Sequence, residues 1–565
     1  MITTEYISQF LREKGIDTVF ELQGGMITRI LDELHRQGDI KIVTMHHEQG
    51  ASFAADAYAR VTGKPGVALA TSGPGATNLI TGIGSCFFDS VPAIFITGQV
   101  NFNELKGDNG IRQLGFQETD IVSIVKPITK AAYAIKNADE IPQVLEEAYR
   151  ISLSGRPGPV LIDIPMNIQK DSIAEISITL PTILPIKLNE INQFLNEIKK
   201  QLKGSKKPLV LVGRGIRTAF AIELFIEFIE KYNLPVVTTL LGLDVIPYNH
   251  PNRIGFIGAY GNRWANYALS NCDVLIVLGS RLDIRQTGAD VKSFQNNKKI
   301  FHVDIEKAEL NNRLKNCCIL ESDLKEFLIV TIDSYINEYN FEEWREEIKS
   351  KNILRPDTQE LENIKGINPN EFIHSLSKKA TEIKAFVADV GNNQMWVAQS
   401  LELQKNQMFI TSGGMGAMGY SLPAGIGASF GLKLSPVVVI SGDGGFQINI
   451  QELQTIKRNK LPIKIIILNN NCLGMIRQFQ DSYFESCYYS TVWGYDAPDF
   501  EAVARAYGIK AITIDKSEQI DNGLVELFND LNEPMLLNVK IDMLTNAFPK
   551  LAFGMPLSKM EPFTE

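Results

Sequence analysis

The sequence predicts an α/β protein made of three doubly wound, parallel-sheet domains. Three observations lead there. Short apolar runs recur along the chain, and most stop at glycine, asparagine or aspartate. Helix-competent stretches separate them, rather than hairpin turns, which is the rhythm of βαβ units. At 565 residues the chain is also too long for a single core.

In the first domain (residues 1–175), Thr3 or Thr4 is placed to cap a helix over 5–13. A strand over 18–22 ends at Gly24-Gly25. A strand over 41–45, a helix over 49–61 and a strand over 66–70 follow. Thr71-Ser72-Gly73-Pro74-Gly75 opens a helix, and a strand over 92–97 ends in Gly98-Gln99. Gly/Pro density over 154–159 leads into a last apolar strand, with the boundary near residue 175. Residues 181–190 read as a linker.

The second domain (190–335) has strands over 208–212, 274–278 and 300–303. They end in Gly213-Arg214-Gly215, Gly279-Ser280-Arg281 and Asp304-Ile305-Glu306. Residues 337–366 are charged and read as a solvated connecting helix plus linker. The third domain (365–545) opens on an Asn368-Pro369 cap. A strand over 385–390 ends in Gly391-Asn392-Asn393, and one over 408–411 leads to the glycine-rich run 412–419. The tail, 546–565, is irregular and either folds over the site or frays.

The most informative stretch lies in the third domain. An apolar run over 437–440 stops at Ser441-Gly442-Asp443-Gly444-Gly445. A helical stretch over 446–460 follows, then a second run over 463–468 that ends in Asn469-Asn470-Asn471. A βαβ unit puts both strand ends on one edge of a parallel sheet, so Asp443 and Asn470 are expected as neighbours. A carboxylate and an amide oxygen beside free glycine N–H groups suit Mg²⁺ bridging a diphosphate.

Composition narrows the function classes. The net charge of -9 argues against a nucleic-acid surface. With no apolar stretch near 18 residues and no basic-then-apolar leader, neither a membrane span nor a signal peptide is expected. Six cysteines without CxxC spacing suit reduced cytoplasmic thiols, and six scattered histidines offer no metal cluster.

The Asp443 and Asn470 motifs resemble the thiamine-diphosphate signature, in which GDG is followed after some two dozen residues by NN. Residues 47–60 (HEQGASFAADAYAR) look like the activating-glutamate segment of thiamine-diphosphate carboligases. The GxRxDxRxTG pattern over 279–288 is similar to the FAD-binding middle domain of acetohydroxyacid synthases and glyoxylate carboligase. From residue 47 to 475 the chain resembles the acetohydroxyacid (acetolactate) synthase catalytic subunit.

That resemblance implies pyrimidine-binding, FAD-binding and diphosphate-binding domains in chain order. It implies that Glu48 activates the cofactor's aminopyrimidine across a subunit interface, with Gln117 and Met418 as further catalytic residues. Met418 stands where the family places an apolar wedge between the cofactor rings. Thiamine diphosphate would be bound by Gly24, Thr71, Pro74 and Asn78 on the pyrimidine side. On the other side it would meet Gly391, Asn392, Asn393, Gly416, Gly442, Gly444, Gly445, Leu473, Gly474 and Met475. The metal would take Asp443, Asn470 and the backbone carbonyl of Cys472. FAD would lie on Arg156, Gly213, Arg214, Gly215, Gly258, Gly261, Gly279, Arg281, Asp283, Arg285, Asp304 and Ile305. The substrate side would hold Gln99, Phe116, Met166, Phe479 and, again, Arg281.

Three departures from the family pattern fall on the acceptor half. The family's Trp is Phe479 in Arg477-Gln478-Phe479-Gln480. Its lysine is Met166 in Asp163-Ile164-Pro165-Met166. Its GMHG is Gly258-Ala259-Tyr260-Gly261. The implied activity is decarboxylation of pyruvate and addition of the hydroxyethyl unit to a second 2-keto acid or ketone, in a homodimer or homotetramer. A bulkier ketone, such as a nucleotide-linked keto-sugar, and a pyruvate-oxidase-type flavoenzyme are the alternatives.

Overall fold

The computed structural model describes residues 1–174, 178, 188–335, 339–361 and 364–563. The expected boundary near 175 and most of the 181–190 linker lie outside the described residues.

Three wholly parallel six-stranded sheets form the frame. The first carries β1 (Thr18–Leu22), β2 (Lys41–Thr44), β3 (Gly66–Ala70), β4 (Ala93–Gln99), β5 (Ala131–Ala134) and β6 (Pro159–Pro165), in the order β2-β1-β3-β4-β6-β5. The second carries β7 (Pro208–Val212), β8 (Val236–Thr238), β9 (Arg253–Phe256), β10 (Val274–Leu278), β11 (Lys299–Asp304) and β12 (Cys318–Glu321), ordered β12-β11-β10-β7-β8-β9. The third carries β13 (Ala385–Ala388), β14 (Met408–Thr411), β15 (Val437–Gly442), β16 (Ile463–Asn469), β17 (Lys510–Ile514) and β18 (Met535–Lys540), ordered β14-β13-β15-β16-β18-β17. Helices cover both faces, which is why strands such as β16 are buried along their whole length and read as continuous apolar runs.

The first and third domains share one core. The alanine-rich helix Glu48–Thr62 packs against the helix Ser421–Gly431. At their crossing a Cβ on Gly427 would sit 1.9 Å from the Ala54 carbonyl oxygen, so only glycine admits this approach. Under the crossing, buried Arg60 pairs with Asp56 at 2.6 Å and Asp89 at 2.8 Å. Asp89 in turn accepts from the backbone N–H groups of Gly413 (3.0 Å) and Gly414 (2.6 Å). An ion trio this deep survives only because every carboxylate is paired and hydrogen-bonded.

Two expectations are corrected, and the tail's two alternatives are decided. The first helix is Thr3–Glu13 and its N-cap is Ile2, because the Thr3 hydroxyl is taken by the Asp171 carbonyl at 3.2 Å. The 446–460 stretch is not one helix. It divides into Asp443–Ile448, a 3₁₀ turn Ile450–Glu452 and Leu453–Asn459. The break falls where Asn449 donates to the Gly419 carbonyl (2.8 Å) and to Gln49 Oε1 (3.1 Å). The tail does not fray over its described residues, 546–563: this mostly irregular stretch folds back, with β19 (Lys550–Leu551) pairing antiparallel to β20 (Met560–Glu561). The Leu551 N–H donates to the Ala259 carbonyl at 2.7 Å, and Arg263 donates to the Met560 and Pro562 carbonyls. No helix among the described residues is long and apolar enough to cross a membrane.

The charged connector supplies the helix Glu342–Leu354 and then Asp357, which locks onto the third domain. His374, in the helix Pro369–Lys379, lies 2.9 Å from Asp357 and 2.7 Å from Glu402. Burial opposes a charge there, but the two carboxylates outweigh it and raise the imidazolium pKa to about 9. The folded value exceeds the unfolded value of about 6.5. The pair's contribution, at most about 3 kcal/mol, is therefore complete below about pH 6.5 and lost as pH rises through about 9. Scanning calorimetry of His374→Gln should show a deficit of about 3–6 °C at pH 6 that shrinks by pH 9.5. A pH-independent deficit would contradict the pairing.

Candidate active site

At the carboxyl edge of the third sheet, the adjacent strands β13, β15 and β16 each hand over to a helix whose N-terminus has no side-chain cap. These are Asn392–Ser400 after Gly391, Asp443–Ile448 after Gly442, and Gly474–Tyr483 after Leu473. Uncapped N–H groups and the positive ends of three helix dipoles make an anion site. The termini are close together. A Cβ on Gly442 would lie 3.1 Å from Asn393 Oδ1, and one on Gly474 would lie 2.5 Å from Asn470 Nδ2 and 2.9 Å from Asn392 Nδ2. Asn392 Oδ1 is buried without a hydrogen-bond partner, a polar environment that a ligand would complete.

Beside this anion site, Asp443 and Asn470 meet as the βαβ argument expects. The Asn470 N–H, 27 positions away in sequence, donates to Asp443 Oδ1 at 3.3 Å. The inward atom of the Asn470 amide lies 3.0 Å from Asp443 Oδ1 and 2.8 Å from the Cys472 carbonyl oxygen. With nitrogen inward, the amide donates to both. With oxygen inward, three oxygens converge, and a hard cation is what stabilises them. Burial pushes the Asp443 carboxyl up to about 6, against the downward pull of a hydrogen bond from the Tyr495 hydroxyl. Gly416, at φ +67°, and half-buried Met418 belong to the loop over this edge. The Met418 methyl would lie 3.3 Å from a Cβ on Gly444.

A second cluster forms at the edge of the first sheet. Glu48 is buried at the start of its helix, where the His47 ring accepts from the Gln49 N–H and so caps the turn. Glu48 Oε2 accepts from Asn78 Nδ2 at 2.9 Å, and Glu48 Oε1 would lie 3.2 Å from a Cβ on Gly75. Thr71 touches both Gly24 and Gly75, and Pro74 opens the helix Pro74–Asn78. Gly24, Glu48, Thr71, Pro74 and Asn78 are thus brought together. Gln117 adjoins them, at φ +66° and packed on Gly73, with its carbonyl accepting from the Ser72 hydroxyl at 2.8 Å.

The middle domain lines a cavity of about 390 Å³ with the first and third. Arg156, Gly213, Arg214, Gly215, Gly279, Arg281, Asp283, Arg285, Asp304 and Ile305 all face it. Gly258 and Gly261 do not. They shape the loop behind it, where a Cβ on Gly258 would meet the Arg285 carbonyl at 2.6 Å. Gly213, Gly215 and Gly279 also have a packing reason, since Cβ atoms on Gly213 and Gly215 would lie within 2.5 Å of Gly279. Arg214 Nε is buried without a partner, and burial holds its guanidinium down at about 10. An unpaired buried guanidinium lining a cavity suits a nucleotide phosphate, so these residues fit a flavin nucleotide.

The acceptor-side candidates are not brought together within one chain. Gln99 is corrected from a substrate-lining to a bracing residue. It is buried, with its amide nitrogen on Asp163 (3.0 Å) and the Thr119 carbonyl (2.9 Å), and its oxygen accepting from Ser72 (3.0 Å) and the Val100 N–H (3.0 Å). Phe116 is 81% exposed. Met166 starts a short helix just past β6. Phe479 packs at a tilt against Tyr483 of its own helix and Phe484 just past it, at centroid distances of 4.9 and 5.5 Å.

Sequence reasoning misses Asp389, Glu452 and Tyr495. Buried Asp389 accepts from the N–H groups of Val390, Gly419 and Ser421, pinning the Met418 loop to β13. Glu452 accepts from the His46 N–H at 2.9 Å and so fixes the turn that presents Glu48. Asp389 stands within the predicted strand 385–390, a position that hinted at a site role. Tyr495 gives no motif signal.

The chain matches three families over successive stretches. They are described as thiamine pyrophosphate enzyme N-terminal TPP binding domain (residues 1–124), central domain (195–330) and C-terminal TPP binding domain (389–539). The acetolactate synthase large subunit of Lactococcus lactis subsp. lactis is 37% identical over 560 residues, 99% of this chain and 95% of that protein. The chain belongs to the acetolactate synthase large-subunit family of thiamine pyrophosphate enzymes. The acetolactate synthase isozyme 2 large subunit of Escherichia coli K12 is 36% identical over 98% of either chain. The probable acetolactate synthase large subunit of Methanococcus aeolicus is 36% identical over 95% of this chain and 92% of that one.

Gly474 tests the thiamine pyrophosphate site. Replacing a helical glycine by alanine normally favours the helix, yet here the new Cβ collides with the amides of Asn470 and Asn392. Gly474→Ala should weaken thiamine diphosphate binding, followed by fluorescence titration with Mg²⁺ present, by about tenfold or more. Wild-type affinity would show that these amides take no part.

Proposed function

We propose that this enzyme decarboxylates pyruvate and adds the resulting two-carbon unit to a second 2-keto acid or ketone. The observation that carries this is the convergence of three uncapped helix N-termini on the Asp443, Asn470 and Cys472 oxygens. The relatives' printed name, acetolactate synthase, favours carboligation over the oxidase alternative.

Mg²⁺ would be held by Asp443 Oδ1, the Asn470 side chain and the Cys472 carbonyl, and would offset the charge of a diphosphate bound at the helix termini. When bound, thiamine diphosphate supplies the electron sink that the decarboxylation and transfer need. Glu48 holds a carboxyl next to the pyrimidine site, and the Asn78 hydrogen bond fixes Oε2 while Oε1 stays free to hold or pass a proton. Met418, beside Gly444, would be the apolar wedge against the bound cofactor. Asp389 and Glu452 hold the two loops in place. FAD would occupy the cavity lined by Arg214, Gly279 and Asp304. The net carboligation is redox-neutral, so the flavin would supply shape rather than electrons.

The functional unit is read as a homo-oligomer with the site between subunits. Among the described residues no hydrogen bond joins the Glu48 cluster to Asp443 or Asn470. Phe116, at 81% exposure, and half-exposed Phe479 leave apolar surface beside either half.

The acceptor half differs most from the family pattern. Phe479 leans on its own helix, and Met166 and Ala259 remove a cation and shorten a side chain. One methylene in an apolar pocket is worth about 10–200-fold. Without the larger ring, equimolar pyruvate and 2-ketobutyrate should be used within about tenfold of one another. Mass spectrometry of products from labelled pyruvate, with 2-ketobutyrate and bulkier ketones as competitors, tests this. A strong excess of acetohydroxybutyrate would mean that Phe479 fills the indole's place.

A further inference from the structure

Asp443 presents its two oxygens to different partners. Oδ1 faces Asn470 and, through its amide, the Cys472 carbonyl. Oδ2 accepts from the Tyr495 hydroxyl at 2.7 Å. The direction of that hydroxyl proton is fixed by a third residue. Gln447 Nε2 donates to the Tyr495 oxygen at 3.2 Å and to the Asp443 carbonyl at 3.3 Å. An amide NH₂ has no acceptor capacity, so the Tyr495 oxygen accepts from Gln447 and its single proton goes to Asp443. The segment carrying Tyr495 also clasps the cation turn, because the Leu473 N–H donates to the Thr491 carbonyl at 3.0 Å. The Thr491 hydroxyl in turn donates to Gln480 Oε1 at 2.5 Å.

We infer that Tyr495 is a positioning residue for the cation-binding carboxylate: its hydroxyl holds Asp443 Oδ2 so that Oδ1 turns to Asn470 and the Cys472 carbonyl. This rests on reading Asp443 as a cation ligand. A phenol at this place satisfies the oxygen that the cation leaves free and removes the carboxylate's freedom to rotate. Partners that orient metal ligands in this way typically contribute about 10–100-fold in metal affinity.

The test is calorimetric titration of Mg²⁺ into the full chain saturated with thiamine diphosphate. Wild type, Tyr495→Phe and Asp443→Ala are compared, with the melting temperature of each cofactor-free protein recorded. Tyr495→Phe should weaken Mg²⁺ binding by about 10–100-fold with little change in the cofactor-free melting temperature, while Asp443→Ala abolishes binding. If Asp443→Ala loses Mg²⁺ and Tyr495→Phe binds it as wild type does, the inference falls and the cation site stands. A lowered melting temperature with unchanged Mg²⁺ affinity, which marks a merely structural tyrosine, overturns it equally. If Asp443→Ala itself keeps wild-type affinity, the cation reading fails and takes the inference with it. Should Tyr495→Phe not fold, Gln447→Met, which frees the hydroxyl to turn away, should weaken Mg²⁺ in the same direction, and unchanged affinity overturns the proposal.

Discussion

A carboxyl group buried at position 443, hydrogen-bonded to the Asn470 N–H and the Tyr495 phenol, is the constraint on which the site depends. Taking a charge out of water costs several kcal/mol unless a counter-charge replaces the lost hydration. Burial moves this carboxyl up to about 6 even against the downward pull of its hydrogen bonds. A cation among the three converging oxygens would remove that cost, and an anion over three helix N-termini would balance the cation. Diphosphate with a divalent metal satisfies both demands at once. Neither demand arises until β13, β15 and β16 lie side by side, so the sheet order is part of the chemistry.

The first and third domains are joined by their most buried elements. The helix that begins at Glu48 packs on Ser421–Gly431 at Gly427, and Asp89 of the Arg60 ion trio accepts from the third domain's Gly413 and Gly414 N–H groups. Asn449 and Glu452, just beyond the helix that starts at Asp443, hold Gln49 and His46 on either side of Glu48. Each chain therefore ties the turn that carries its own Glu48 to the segment that follows its own Asp443 helix. Among the described residues, no hydrogen bond joins Glu48 to Asp443 or Asn470.

What the sequence made legible followed from local physics. Buried parallel strands read as apolar runs, and glycine or asparagine marked their carboxyl ends. Asp443 and Asn470 were legible as neighbours because a βαβ unit has one geometry. Glu48, Asn78 and Thr71 were legible only through resemblance, since a carboxylate in a first helical turn is ordinary by itself. The break in the 446–460 helix was hidden because its cause, Gln49, lies 400 residues away. Gln99 was placed on the substrate side by resemblance, and only the fold shows both of its amide atoms spent. Tyr495 lies in an irregular loop, 52 positions from the aspartate that it holds. The tail's order comes from Ala259 and Arg263 in the middle domain, contacts that no local pattern announces.

If each site combines Glu48 of one subunit with Asp443 of another, two inactive variants should complement. Co-expressing Glu48→Gln with Asp443→Ala and isolating the mixed oligomer gives subunits that each supply the half the other lacks. The account predicts that carboligase activity returns in the mixed oligomer, at about half the wild-type rate for a dimer with one intact site of two. A mixed oligomer as inactive as its parents would contradict it, because carboxylate and cation would then have to act within one chain.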